Sequence, residues 1–135
     1  PRSLQLELPE GPLPLRAAPE LLVQALDKLV DNARGFTPAT GWVRLSAARE
    51  EGGVRIALAN QGPLLPDSMR GRLFDSLVSL RDKGQRSEGA AHLGFGLYVV
   101  RLVADLHRGH AEAHNLPSGE GVEFILHLRG MPRPA

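Results

Sequence analysis

Apolar and polar residues along the chain change period several times, and each change predicts an element. "LQLEL", residues 4–8, alternates and predicts a short strand. The proline-rich run "PEGPLPLRAAP" follows as a bend. From Pro19 the period lengthens: Leu22, Ala25, Leu26, Leu29, Val30 and Ala33 form one helical stripe. Pro19 and Glu20 suit a first helical turn, and the helix is expected to end near Gly35, before "FTP". "WVRLSAA" and "VRIALAN" alternate on either side of "EEGG" and predict a β-hairpin. "QGPLLP" reads as a loop, and "DSMRGRLFDSL" as a short helix capped by Asp67.

Residues 79–92, "SLRDKGQRSEGAAH", are polar without apolar period and predict a mobile loop. A helix over 94–107 follows, with Val99, Val100, Leu102, Val103 and Leu106 on one face and Arg101, Asp105 and Arg108 opposite. "HAEAH" and "GVEFILHL" predict two strands around "NLPSGEG", and the tail "RGMPRPA" is expected to fray. Helices interleaved with hairpins predict a helical layer on one face of a mixed sheet.

Composition narrows the function. A chain of 135 residues fits one domain, 1–135, and 42% hydrophobic residues suffice for a core. Cysteine is absent, which excludes disulfides and thiolate metal sites. A net charge of +1 and few aromatics argue against a nucleic-acid partner. No apolar run reaches the roughly 20 residues that span a bilayer. The opening "PRSLQLELPEG" lacks a signal-peptide pattern, and we expect a longer parent chain upstream.

Three stretches are candidates for chemistry. Asn32, in "LDKLVDNARGFTP", falls on the border of the apolar stripe with Lys28 one turn earlier. A neutral amide there offers oxygen to a hard cation such as Mg²⁺, or simply decorates a helix end. "LANQGPLLP" ends a strand in Asn60 and turns at Gly62-Pro63. Such a polar strand end reads a flat ligand or serves as an ordinary turn. "LGFGLYVVRLVADLH" places Gly94 and Gly96 where a helix is expected to start. Free amides and a partial positive charge there suit a phosphate, while tight packing also uses glycine.

Taken together, the order and spacing resemble the ATP-binding catalytic domain of sensor histidine kinases. That domain belongs to the GHKL family, of the Bergerat fold, shared with gyrase, a heat-shock chaperone and the mismatch-repair ATPases. "LVDNARGFTP" resembles the N box and "NQGPLLP" the G1 box. "LFDSLVSL" resembles the F box, "HLGFGLYVVRLVADLHRGH" the G2 box and its helix, and "GEGVEFILHL" the last glycine box. Together "NQGPLLP", "LFDSLVSLR" and "HLGFGLYVVR" also resemble a proteobacterial, sortase-associated subgroup.

The resemblance implies an α+β two-layer sandwich, with a mixed, mostly antiparallel sheet of about five strands under about three helices. It implies that Asn32 binds Mg²⁺ on the phosphates, with Lys28 beside it in the catalytic site. Asn60 takes the place of an adenine-reading aspartate, and Gly62 lets the adenine lie close. Gly94, Gly96 and the amide of Leu97 face the phosphates. Arg81 and Lys83 lie on a nucleotide lid, with Phe74 packed beneath. The cofactors implied are ATP and Mg²⁺. The partners implied are a dimerisation and phosphoacceptor domain of the same parent and a response regulator. The parent is expected to be a homodimer and this fragment a monomer, cytoplasmic, with any membrane anchor elsewhere.

Lys28, Gly35, Asn60, Leu64, His92 and Val122 depart from the family pattern. A protonated Lys28 cannot act as general base, so gyrase-like water activation is not expected. Two other readings stay open: a degenerate module that binds nucleotide weakly, and an anti-sigma-type serine kinase. None of His92, His107, His110, His114 and His127 precedes an acidic residue, as a phosphoacceptor would. They are expected on the surface, and His107 with His110 lacks a third metal ligand.

Overall fold

In a computed structural model, residues 3–66, 74 and 88–131 are described, with the backbone alone over 88–96. The elements are β1 (Ser3–Glu7), α1 (Pro19–Phe36), β2 (Trp42–Glu50), β3 (Gly53–Gln61), α2 (Glu88–Leu106), β4 (His110–Asn115) and β5 (Gly121–Leu128). Five strands form one mixed sheet in the order β1-β2-β3-β5-β4. β1 runs parallel to β2, and the other neighbours are antiparallel. The two-layer α+β architecture therefore stands, with two helices among the described residues. The short helix expected over 67–77 lies outside them, apart from Phe74.

Alternation along the strands decides which face is dry. Val54, Ile56 and Leu58 of β3 share a face with Val122, Phe124, Leu126 and Leu128 of β5, and the helices pack on it. The other face carries Arg55, Glu123, His127, His110, Glu112 and His114. β1 repeats the pattern, but Leu4 and Leu6 sit at the sheet edge and remain exposed.

α1 buries Ala25, Leu29, Asn32 and Ala33. The expected stripe is thus rotated: Val30 is exposed, and Asn32 lies within the core seam rather than on its border. α2 buries Leu97, Val100, Val103 and Ala104, with His107 buried just beyond its end, while Leu102 and Leu106 stay exposed. α1 packs along α2, and Leu29, Ala33, Leu97 and Val100 meet in one cluster over Leu58 and Phe124. Each fully buried leucine contributes about 2–3 kcal/mol.

His107 corrects the expectation of surface histidines, since it is 0% exposed. Ala18, the residue before α1, has no polar side chain to cap the helix. The imidazole supplies the missing acceptor: its Nε2 takes the Ala18 N–H at 3.0 Å. Its Nδ1 then donates to the Val103 carbonyl at 2.8 Å, which fixes the tautomer. The His107 carbonyl accepts from Arg129 and Gly130, and Met131 donates to Arg16. Residues 129–131 are therefore tied down rather than frayed. Beyond His107 the chain turns through Arg108, at φ 59°, and Gly109 donates back to Ala104.

Candidate functional site

Asn60 lies one residue before the end of β3, with its side chain on the helix-covered face. Its sheet neighbours are Val43 and Val122, so an amide stands in an apolar row. It is 2% exposed, and its Nδ2 donates to the Gln61 carbonyl at 3.3 Å. Its Oδ1 is buried with no partner among the described residues. Asn32, 4% exposed on α1, has an Oδ1 in the same condition. A buried polar atom left unpaired costs about 1–3 kcal/mol. Native structures keep few such atoms, and their chemistry suits a bound group that donates to them or an ion that they ligate.

Gly62 joins the two asparagine-bearing elements. Its backbone has φ +156°, and a Cβ there would stand 2.5 Å from the Phe36 carbonyl oxygen and 3.4 Å from Asn60 Nδ2. The last turn of α1 and the end of β3 thus meet at a position that admits no side chain. Gly121 does the same from β5, where a Cβ would fall 1.9 Å from the Asn60 carbonyl oxygen.

Asn115 is a positioning residue that the sequence reading missed. It occupies the β4 end of the row Val43, Asn60, Val122, Asn115. Its Oδ1 accepts the Leu65 N–H at 2.7 Å, and its Nδ2 donates to the Leu65 carbonyl at 3.1 Å. One side chain thereby stands in for a strand and holds the loop after Gly62 across the sheet end. Asn115→Ala leaves both Leu65 groups without these partners. It is expected to cost about 1–3 kcal/mol. Urea unfolding checks this, as a lower midpoint at an unchanged slope.

The other expected site residues divide into three sets. Lys28 is half-buried on α1, one turn before Asn32. Leu97 is fully buried in the core cluster, and Phe74 packs against that cluster, its carbonyl accepting from Arg101 at 3.4 Å. Arg81 and Lys83 lie outside the described residues, as does 79–87 of the expected loop. Residues 88–92 of that loop are helical, and α2 begins at Glu88. Gly94 and Gly96 are therefore inside a helix rather than at its start. Their N–H groups, with that of Leu97, point along the helix to carbonyls four residues back. Helix-forming Glu88, Ala90 and Ala91 extend α2 across the glycines, each of which costs only about 1 kcal/mol relative to alanine.

A separate hollow of about 480 Å³ opens at the other end of β3, lined by Arg16, Arg49 and Arg129 among others. It holds none of the expected residues.

Comparison with known proteins gives the family and the fold. The family model for histidine kinase-, DNA gyrase B- and HSP90-like ATPases matches residues 17–131. Sensor protein CreC of Escherichia coli (strain K12) is 35% identical over 128 residues, which is 94% of this chain and 26% of that protein. The chain thus spans about a quarter of that curated relative. The nucleotide-free catalytic domain of histidine kinase ThkA has the same fold, with a TM-score of 0.79 at 24% identity over 97% of this chain and 82% of that one. The ATP binding domain of PrrB from Mycobacterium tuberculosis is 30% identical, with a TM-score of 0.68 over 96% of this chain and 82% of that one. With its five-stranded sheet and a family match over residues 17–131, the chain belongs to the histidine kinase-, DNA gyrase B- and HSP90-like ATPase family.

Proposed function

We propose that the chain is the catalytic and ATP-binding domain of a sensor histidine kinase. It holds Mg·ATP for transfer of the γ-phosphoryl group to a histidine on a separate dimerisation domain of its parent. The observation that carries this reading is the pair of buried oxygens, Asn32 Oδ1 and Asn60 Oδ1, that have no partner among the described residues, on the two elements that meet at Gly62. An amide oxygen is a hard ligand, which suits Asn32 to Mg²⁺. The same atom type on Asn60 accepts a hydrogen bond from the adenine amino group, and Gly62 keeps the adjoining backbone free of a side chain. Lys28 contributes positive charge toward the phosphates, and as an ammonium it does not activate water. Mg²⁺ held by Asn32 would neutralise charge on the phosphates.

Gly94, Gly96 and the Leu97 amide complete the phosphate contacts, for which α2 must begin at the glycines rather than at Glu88. Arg81 and Lys83 cover the nucleotide, with Phe74 beneath them. The parent is a dimeric two-component sensor with this domain in the cytoplasm, and a response regulator takes the phosphoryl group onward. No helix among the described residues is long and apolar enough to cross a membrane.

One observation favours a second reading, a degenerate module that serves as an interaction partner: α2 engages the amides of 94–97 in its own hydrogen bonds. Calorimetric titration with Mg·ATP separates the two. The kinase reading expects a Kd of about 1–100 µM, or roughly −8 to −5.5 kcal/mol, weakened when EDTA removes the metal. No heat up to millimolar Mg·ATP overturns it in favour of the module.

A further inference from the structure

We propose that His110, Glu112 and His127 form a binding site for a transition-metal dication of the Zn²⁺ class on the sheet face opposite the helices. β4 and β5 create it by register. His110 lies directly across from His127, and Glu112 follows two residues later on the same face. The His110 and His127 rings stack, with centroids 4.4 Å apart and planes at 22°. Glu112 Oε2 lies 2.6 Å from His127 Nε2 and 3.8 Å from His110 Nε2. One ligand atom from each residue falls within 4.8 Å of the other two.

Donors around one tetrahedral Zn²⁺, at about 2.0–2.2 Å from the ion, stand roughly 3.3 Å apart. Small rotations of exposed side chains take the present separations to that value, since the His110 side chain is 67% exposed and that of Glu112 46%. Three protein ligands leave a fourth position open to water or to a group from solvent.

The surroundings supply the rest of a metal site. Glu50, at the end of β2, holds His127 Nδ1 at 2.9 Å. With Glu50 accepting at Nδ1, the arrangement usual behind metal-bound histidines, a metal ion takes Nε2 by displacing the proton that Nε2 shares with Glu112 Oε2 at 2.6 Å. Two carboxylates supply compensating negative charge. The neighbouring ions are engaged with one another: Arg55 pairs with Glu123 at 3.6 Å, and His114 with the same carboxylate at 3.1 Å. Two imidazoles with one carboxylate favour zinc, nickel or copper over Mg²⁺, which prefers oxygen donors. The cluster therefore does not compete for the ion that Asn32 holds in the proposed function, and it stands whether or not that reading does.

Zn²⁺ alone is the probe, measured by competition with a chromophoric chelator in buffer containing millimolar Mg²⁺. The wild-type chain is expected to bind one equivalent. His110→Ala and Glu112→Gln each weaken it at least about tenfold, and Glu50→Gln by roughly ten- to a hundredfold through His127. His114→Ala leaves the affinity within about twofold. Far-UV circular dichroism confirms that the variants fold, and the exposed His110 makes its variant the decisive one. Zinc affinity unchanged in His110→Ala overturns the proposal. So does an equal loss in His114→Ala, which marks general binding to surface histidines.

Discussion

Gly62→Ala is expected to abolish measurable Mg·ATP binding and to destabilise the fold by about 2–4 kcal/mol. The added Cβ would stand 2.5 Å from the Phe36 carbonyl oxygen, a backbone atom that α1 holds in place. Overpacking of this kind costs about 1–3 kcal/mol, and a positive φ on a residue with a Cβ adds roughly another 1. Either α1 or the β3 end must move, and each carries one of the two asparagines. Gly52→Ala is the control. Gly52 also has a positive φ, +84°, but nothing lies within 4 Å of its Cβ position. It is expected to lose about 1 kcal/mol and no nucleotide affinity. Thermal unfolding and an Mg·ATP titration of both variants check the pair of outcomes. Equal affinity in Gly62→Ala and wild type contradicts the placement of the nucleotide at this junction.

Asn32→Ala is expected to do the reverse, keeping stability and losing affinity. Leu29, one turn earlier in the same seam, sets the scale, because truncating such a leucine costs about 2–5 kcal/mol. Asn32 differs in that its buried Oδ1 has no partner among the described residues. Its removal relieves about 1–3 kcal/mol of unpaired polar burial, which offsets most of the lost packing. The net change without nucleotide is expected within about 1 kcal/mol of zero. In the proposed function the same atom ligates the metal of Mg·ATP, and its loss is expected to weaken binding at least about tenfold, or 1.4 kcal/mol.

Much of this was legible in the residues. The alternation of "WVRLSAA", "VRIALAN", "HAEAH" and "GVEFILHL" located four strands, and the stripe from Leu22 to Ala33 located α1. What escaped was what a single period cannot carry. The helical angle measured from a stripe that includes Val30 puts Asn32 on the border, whereas the structure exposes Val30 and buries Asn32 with Leu29 and Ala33. The place of His107 at the end of the last helix predicts it at the surface or rim. It is buried because the start of α1, 89 residues away in sequence, needs an acceptor.

α2 begins earlier than the glycine signal indicated, since "SEGAAH" has helix-forming residues although it lacks an apolar stripe. Asn115 gave no signal at all, because its partner is the backbone of Leu65 across the sheet end. The cluster of His110, Glu112 and His127 depends on the β4–β5 register, which a one-residue slip would dissolve.

In the proposed function Asn32 and Asn60 stay buried, with oxygens that have no partner among the described residues, because a bound nucleotide engages them. Unfolding of wild type and Asn32→Ala, each with and without Mg·ATP at a hundredfold over the wild-type Kd, tests it most directly. Wild type is predicted to gain about 2.7 kcal/mol from the nucleotide and the variant about 1.4 or less, from starting stabilities within about 1 kcal/mol of each other. Equal gains in both proteins, or a variant several kcal/mol less stable before any nucleotide is added, would contradict it.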